Sequence, residues 1–278
     1  KTTLKELAIQ LIKLSEGRTD DKDMELFNKI KERIQKFDNK KHSKITQKGT
    51  WIKIVTLFDD FIKRYSQSPL VIEAEFNIAR LYIAKKEYEN ARKQLQSIMD
   101  KYKKSDVIYS EALFLMGKTY ELQDNWEAAL IEYKKNIQNY PATARGLSMP
   151  IYIAQYYKTK FQPEKMRQAY QEAIRHYQDL IQRHPDSILA YNAHNLIAQC
   201  YVALKDWQSA IESYDTIVEK YKGKVNLDAI LMTEASIYNT ELNDKTKARQ
   251  LLEQLIKDYP KSGLINVAKG MLRQWEKK

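Results

Sequence analysis

The sequence predicts an all-α protein built from antiparallel helix pairs stacked in a row. Three observations lead there. Glycine and proline are scarce, seven and six in 278 residues, so few positions break a helix. An alanine recurs at a nearly constant interval through most of the chain. Each of these alanines stands in the same pattern of large apolar and aromatic residues.

The recurrence defines the second helix of each pair. An aromatic residue stands three positions before alanine in Tyr88–Ala91, Trp126–Ala129, Tyr170–Ala173 and Trp207–Ala210. Four residues after those alanines come Leu95, Tyr133, Tyr177 and Tyr214, and eleven after them Tyr102, Tyr140, His184 and Tyr221. A fifth copy runs Ala248, Leu252, Leu255, Tyr259, with Lys245 in place of the leading aromatic. Spacings of three, four and seven place these side chains on one helical face. Alanine on that face lets two helices approach closely, and the aromatics fill the groove beside the contact.

A first helix precedes each of these. Ala74, Phe76, Ile78, Ala79 and Tyr82 recur as Ala112, Phe114, Met116, Gly117 and Tyr120. The series continues with Met149, Ile151, Ile153, Ala154, Tyr157 and with Ala193, Asn195, Ile197, Ala198, Tyr201. It ends on Ile230, Met232, Ala235, Tyr238. One pair cannot bury its own apolar face, so neighbouring pairs must stack. Trp51, Ile54, Phe58, Phe61 and Tyr65 form a half repeat upstream, and residues 264–275 form a closing helix with Ala268, Leu272 and Trp275. Residues 1–50 read as an irregular helical cap with two apolar stripes, Leu4, Leu7, Leu11, Leu14 and Phe27, Ile30, Ile34, Phe37, followed by a loop over 38–50. The organisation expected is thus a cap over 1–50 and a solenoid of about five full repeats over 51–278.

Small residue, then tyrosine, then alanine, then an aromatic, then proline: over residues 51–278 the chain resembles the tetratricopeptide repeat family. Prolines close three turns, in Tyr140-Pro141, His184-Pro185 and Tyr259-Pro260. The resemblance implies a right-handed superhelix whose first helices line a concave groove. It also implies a non-enzymatic scaffold for protein partners, bound in the groove or at the solenoid ends, with self-association among the options. The closings Tyr259-Pro260-Lys261-Ser262 and His184-Pro185-Asp186-Ser187 are similar to those of bacterial cell-envelope members, such as the barrel-assembly lipoprotein and the Tol–Pal coordinator. That similarity implies an envelope complex and a periplasmic or otherwise extracytoplasmic location, with a cytoplasmic one left open. The chain starts at Lys1, so any secretion signal is expected to lie outside it. Membrane association is expected only through a partner or an anchor outside the chain.

The remaining composition narrows the function classes. The net charge is +11, and residues 1–50 hold thirteen Lys and Arg against eight Asp and Glu, with a cluster at Lys40, Lys41 and Lys44. That bias carries the alternative reading, a nucleic-acid or anionic-surface module using the basic N-terminal region. Against nucleic acid stands the tyrosine register, since fifteen of nineteen tyrosines occupy recurring packing positions and leave no continuous stacking platform. Phosphate-loop, zinc-protease, EF-hand and nucleophile-elbow motifs are absent, and no cofactor, metal or catalytic set is expected. The four histidines share no close helical spacing, and the single Cys200 reads as a packing residue.

The candidate partner surface is the inward set of the first helices. From that set, which also holds Glu73, Glu111, Leu115, Ser148, Ile151, Asn192, Asn195 and Gln199, the candidates are Phe76, Asn77, Arg80, Phe114, Lys118, Tyr152 and Gln155, with packing between helices the alternative for Phe76 and Phe114. Aromatics beside cations match the composition of interaction hot spots. The third repeat adds seven residues between Tyr157 and Ala173. Pro163-Glu164 reads as a helix start, so its second helix should run from about 163 to 183. Phe161 then falls outside the repeat register and joins the candidate set.

Overall fold

Alternating helix pairs account for the whole of the computed structural model, which describes residues 21–39 and 47–276. Among the described residues there are thirteen α-helices and no strand. They are α1 (Asp21–Asn39), α2 (Gln47–Arg64), α3 (Leu70–Ala84), α4 (Tyr88–Lys101), α5 (Asp106–Glu121), α6 (Trp126–Asn139) and α7 (Ala144–Thr159). Then follow α8 (Pro163–Arg183), α9 (Ile188–Leu204), α10 (Trp207–Tyr221), α11 (Asp228–Thr240), α12 (Lys245–Asp258) and α13 (Ile265–Glu276). The chain forms two compact units, one ending at Gly146 and the other starting at Leu147. Helices pack on their neighbours in sequence from α1 to α6 and again from α8 to α13, as a repeat architecture requires.

The alanine register is buried in every pair. Ala91, Ala129, Ala210 and Ala248 are 0% exposed and Ala173 is 1% exposed. Leu95, Tyr133, Tyr177 and Leu252, four residues on, are also fully covered. On the facing helices Ala79, Ala154, Ala198 and Ala235 are equally buried. Gly117 is the tightest of these approaches: a Cβ placed there would lie 2.3 Å from Cε1 of Tyr133. No side chain fits in that gap unless the tyrosine moves.

Local chemistry sets the ends. Asn125, Ser187, Asp206 and Asp244 each accept a hydrogen bond from the backbone N–H three residues on, capping α6, α9, α10 and α12. Pro163 opens α8, where a missing N–H costs nothing. The turn inside each pair uses one left-handed residue: Lys86, Asp124, Phe161, Lys205 and Asn243, with φ between 51° and 62°. Phe161 therefore does have a slot in the repeat, contrary to the expectation from spacing alone. A bulky side chain is an outlier there, at a cost on the order of 1–2 kcal/mol.

The third pair carries the seven extra residues inside its second helix. Helix α8 spans 21 residues, against 14 in α4, α6 and α12. The addition is about two turns, so the apolar face keeps its direction. Facing α9 the repeat register holds, with Cys200 lying against Tyr170 and Tyr177 on either side of Ala173. Facing α7 it slides. Tyr133 sits over Gly117 and donates to Glu121 on α5 at 2.7 Å. The counterparts of those two residues on α7 are Ala154 and Lys158. Tyr177 instead donates 2.6 Å to the Leu147 carbonyl, near the start of that helix.

Near the N-terminus aromatic rings of α1 and α2 pack together. Phe58 and Phe61 are 0% exposed and Phe27 lies 5.9 Å and 5.4 Å from their ring centres. Helix covers Asp38, Asn39 and residues 47–50, where a loop was expected. The stripe Leu4 to Leu14 and the lysine cluster Lys40, Lys41, Lys44 lie outside the described residues.

Replacing Ala129 or Ala210 by Trp forces a large side chain into a closed helix seam. The expected outcome is a loss of about 1–3 kcal/mol, read as a lower melting temperature for either variant. Melting that matches wild type would mean the seam is not where these alanines place it.

Candidate functional site

The eight candidate residues divide between the two compact units. In the unit ending at Gly146, α3 carries Phe76, Asn77 and Arg80, and α5 carries Phe114 and Lys118. Phe76 is 2% exposed and belongs to the core with Ala79, Leu95 and Ala112. It supports the surface rather than forming it. The Arg80 guanidinium covers its ring at 5.3 Å.

Around these residues stands a charge cluster reaching across three first helices. Glu111 of α5 is 2% exposed. Arg80 Nη2 donates to its Oε1 at 2.8 Å, while Arg145 of α7 donates from Nε to Oε2 at 2.5 Å and from Nη2 to Oε1 at 3.3 Å. The Arg145 guanidinium also stacks 3.9 Å from the ring centre of Phe114. Burial pulls the pKa of Arg80 down, and Glu111 opposes that shift. Arg80 Nη1 is buried without a hydrogen-bond partner. Of the two cations expected to greet a partner, Arg80 is thus already engaged by a buried carboxylate. Lys31 pairs with Glu73 at 3.0 Å and Lys118 with Glu121 at 2.7 Å. Asn77 is half-buried.

Spacing did not pick out Arg145. Its one sequence signal is distance: it follows Glu111 by about one repeat, as Glu111 follows Arg80.

In the unit starting at Leu147, Tyr152 is half-buried, Gln155 is exposed and Phe161 is 92% exposed. Beside Phe161, Lys160 Nζ lies 5.5 Å from the Tyr156 ring and Lys165 Nζ 5.8 Å from the Tyr157 ring. A groove of about 570 Å³ lies between α8, α9 and α10, lined by Gln178, Gln182, His194, Ser213 and Thr216 among others. Burial lowers the pKa of His194, aided by Lys220, and leaves its Nε2 without a partner.

Two buried titratable groups complete the inventory. Burial pushes the Cys200 thiol up to about 12, so it stays protonated and unreactive at neutral pH. Glu234 of α11 is 1% exposed. Burial, with the charge of Asp215 and a hydrogen bond shared with it, pushes its carboxyl up to about 8 against the opposing pull of Lys247. Tyr214 and Tyr238 lie near enough to Glu234 to be shifted by it in turn. Among the described residues no group of three or more His, Cys, Asp or Glu could hold a metal ion. Nor is any helix there long and apolar enough to cross a membrane.

Models of the tetratricopeptide repeat match residues 73–105, 111–143, 166–230 and 231–262, more than half of the chain. Solved structures similar to it include BtubC from P. vanneervenii, at 13% identity and a TM-score of 0.44, covering 75% of this chain and 88% of that one. Another is a tetratricopeptide repeat protein from Parabacteroides merdae, at 14% identity and a TM-score of 0.41, covering 89% and 88%. A third is YrrB, described as a tetratricopeptide repeat protein with an unusual peptide-binding site, at 15% identity and a TM-score of 0.38, covering 77% and 97%. No curated protein matches the sequence.

Glu234 binds a proton more tightly folded than unfolded. Its contribution to stability is therefore full below the ordinary carboxylate range and is lost as pH rises toward about 8, levelling off above. Glu234→Gln should flatten that decline and leave the variant the more stable protein at alkaline pH. Urea melts across the pH range check this, and parallel curves for the two proteins would contradict it.

Proposed function

Because the chain belongs to the tetratricopeptide repeat family, we propose that it is a non-enzymatic scaffold or assembly factor for a multi-subunit complex of the bacterial cell envelope, working outside the cytoplasm. The observation that carries the scaffold reading is that, within each unit, the repeat helices spend their apolar seams on one another. What is left for the surface is a set of polar, aromatic and charged side chains on the first helices. Such a surface recognises other proteins by shape and charge and has no groups arranged for bond-making chemistry. The envelope setting draws its support from the Tyr-Pro-x-Ser closings, 259–262 most completely.

In this reading each unit offers its own first-helix surface, Asn77 and Lys118 in one and Tyr152 and Gln155 in the other, with Phe76 and Phe114 fixing the helices of the first. Self-association through the ends of the repeat series fits the same architecture, since end repeats expose the faces that inner repeats cover.

A photo-reactive residue placed at Gln155 should cross-link a defined protein in cells of the native source. The same residue at Lys134, exposed on the second helix α6, should yield little of that product. Equal yields from both positions, or none from either, would contradict a scaffold that uses its first helices.

A further inference from the structure

Phe161 is the most exposed large apolar side chain of the described residues, at 92%. Neither packing nor turn geometry accounts for it. The equivalent turn positions carry Lys86, Asp124, Lys205 and Asn243, all polar, and the left-handed backbone disfavours a bulky ring. The turn is nonetheless firmly built. Phe161 N–H donates to the Lys158 carbonyl at 3.1 Å and Gln162 N–H to the Tyr157 carbonyl at 2.9 Å, and Met166 N–H closes on the Gln162 carbonyl at 2.9 Å. The ring is held outward by a pinned backbone.

The surroundings of that ring are cationic. Every residue from Lys158 to Lys165 is exposed. Lys158, Lys160 and Lys165 lie within four residues of Phe161, against the single acid Glu164. None of the three lysines pairs with a carboxylate among the described residues. The Lys160 and Lys165 ammonium groups lie over the Tyr156 and Tyr157 rings, and both lysines are exposed. A projecting apolar ring, flanking tyrosines and unneutralised lysines together match the demands of a membrane–water interface. There aromatic rings settle at headgroup depth and lysines meet lipid phosphates.

We propose that the turn between α7 and α8 docks on an anionic lipid surface, with Phe161 entering the headgroup layer and Lys158, Lys160 and Lys165 contacting phosphate groups. Charge complementarity selects this occupant: the tip is convex and positive, and the chain as a whole carries +11. The contact is peripheral and reversible, because one ring and three cations make a weak anchor. It does not depend on the scaffold reading; a scaffold that ignores lipid would still be a scaffold.

The test is co-sedimentation of the full chain with vesicles of phosphatidylcholine alone and of phosphatidylcholine mixed with phosphatidylglycerol. Wild type should bind the mixed vesicles, ignore the neutral ones and release in high salt. Phe161→Ala should weaken binding by roughly tenfold with no loss of melting temperature, since the ring supports nothing. Lys160→Glu combined with Lys165→Glu should weaken it further. Phe161→Trp should keep binding and add a blue-shifted emission component on mixed vesicles. No binding by wild type would overturn the proposal, as would equal binding by wild type and Phe161→Ala. If vesicles are ignored while Phe161→Ala loses a protein cross-linked at Gln155, the tip is a protein anchor and the lipid proposal fails while the scaffold reading stands.

Discussion

The close approach of paired helices at small residues is the constraint on which the rest of this structure depends. At Gly117 the space left for a side chain is nil, because the Tyr133 ring fills it. Alanine takes the matching place elsewhere, and the following Leu or Tyr is buried to the last few per cent. Dispersion between closely packed atoms is small per contact and large in sum, so each pair is held along its whole seam. That seam explains why so many tyrosines recur without a ligand to bind. They fill the groove beside the contact, and two of them send their hydroxyls to an acceptor at its rim, Tyr133 to Glu121 and Tyr177 to the Leu147 carbonyl.

Buried charge is handled in two different ways. Glu111 is held by two guanidinium groups, one of which lies over the Phe114 ring. For Glu234 the pull of the nearby cation, Lys247, is outweighed: burial and the neighbouring Asp215 push its carboxyl up to about 8. The first arrangement ties three first helices together through a carboxylate that cannot be lost without stranding two cations. The second leaves a group whose ionisation works against the fold.

Much of this was legible in the sequence, because a repeat writes its packing code several times over. Ala129 and Ala210 announced the seam by recurrence, and Pro163 with Glu164 announced the start of the long α8. What recurrence cannot show is any interaction made once. Arg145 binds Glu111 across a full repeat, and nothing in its own repeat marks it. Phe76 and Phe114 share a register position and each lies under a guanidinium, yet the first is core and the second only partly buried, a difference set by their neighbours. Phe161 was missed in the opposite sense: its turn slot recurs, but the residue types in it differ so widely that only the backbone reveals the pattern. The Glu234–Asp215 pair escaped because an acid on a charged helix surface looks the same whether it faces solvent or a seam.

The most direct measurement of the closed seam is a double-mutant cycle on Gly117 and Tyr133, followed by urea unfolding. If the seam excludes even one methyl group, Gly117→Ala destabilises the wild-type background. The same change costs much less beside Tyr133→Leu, where the smaller side chain gives way. The coupling between the two positions should then exceed about 1 kcal/mol. Additive effects within about 0.5 kcal/mol would show that the two residues do not share one closed space, and would contradict a fold held together by its helix seams.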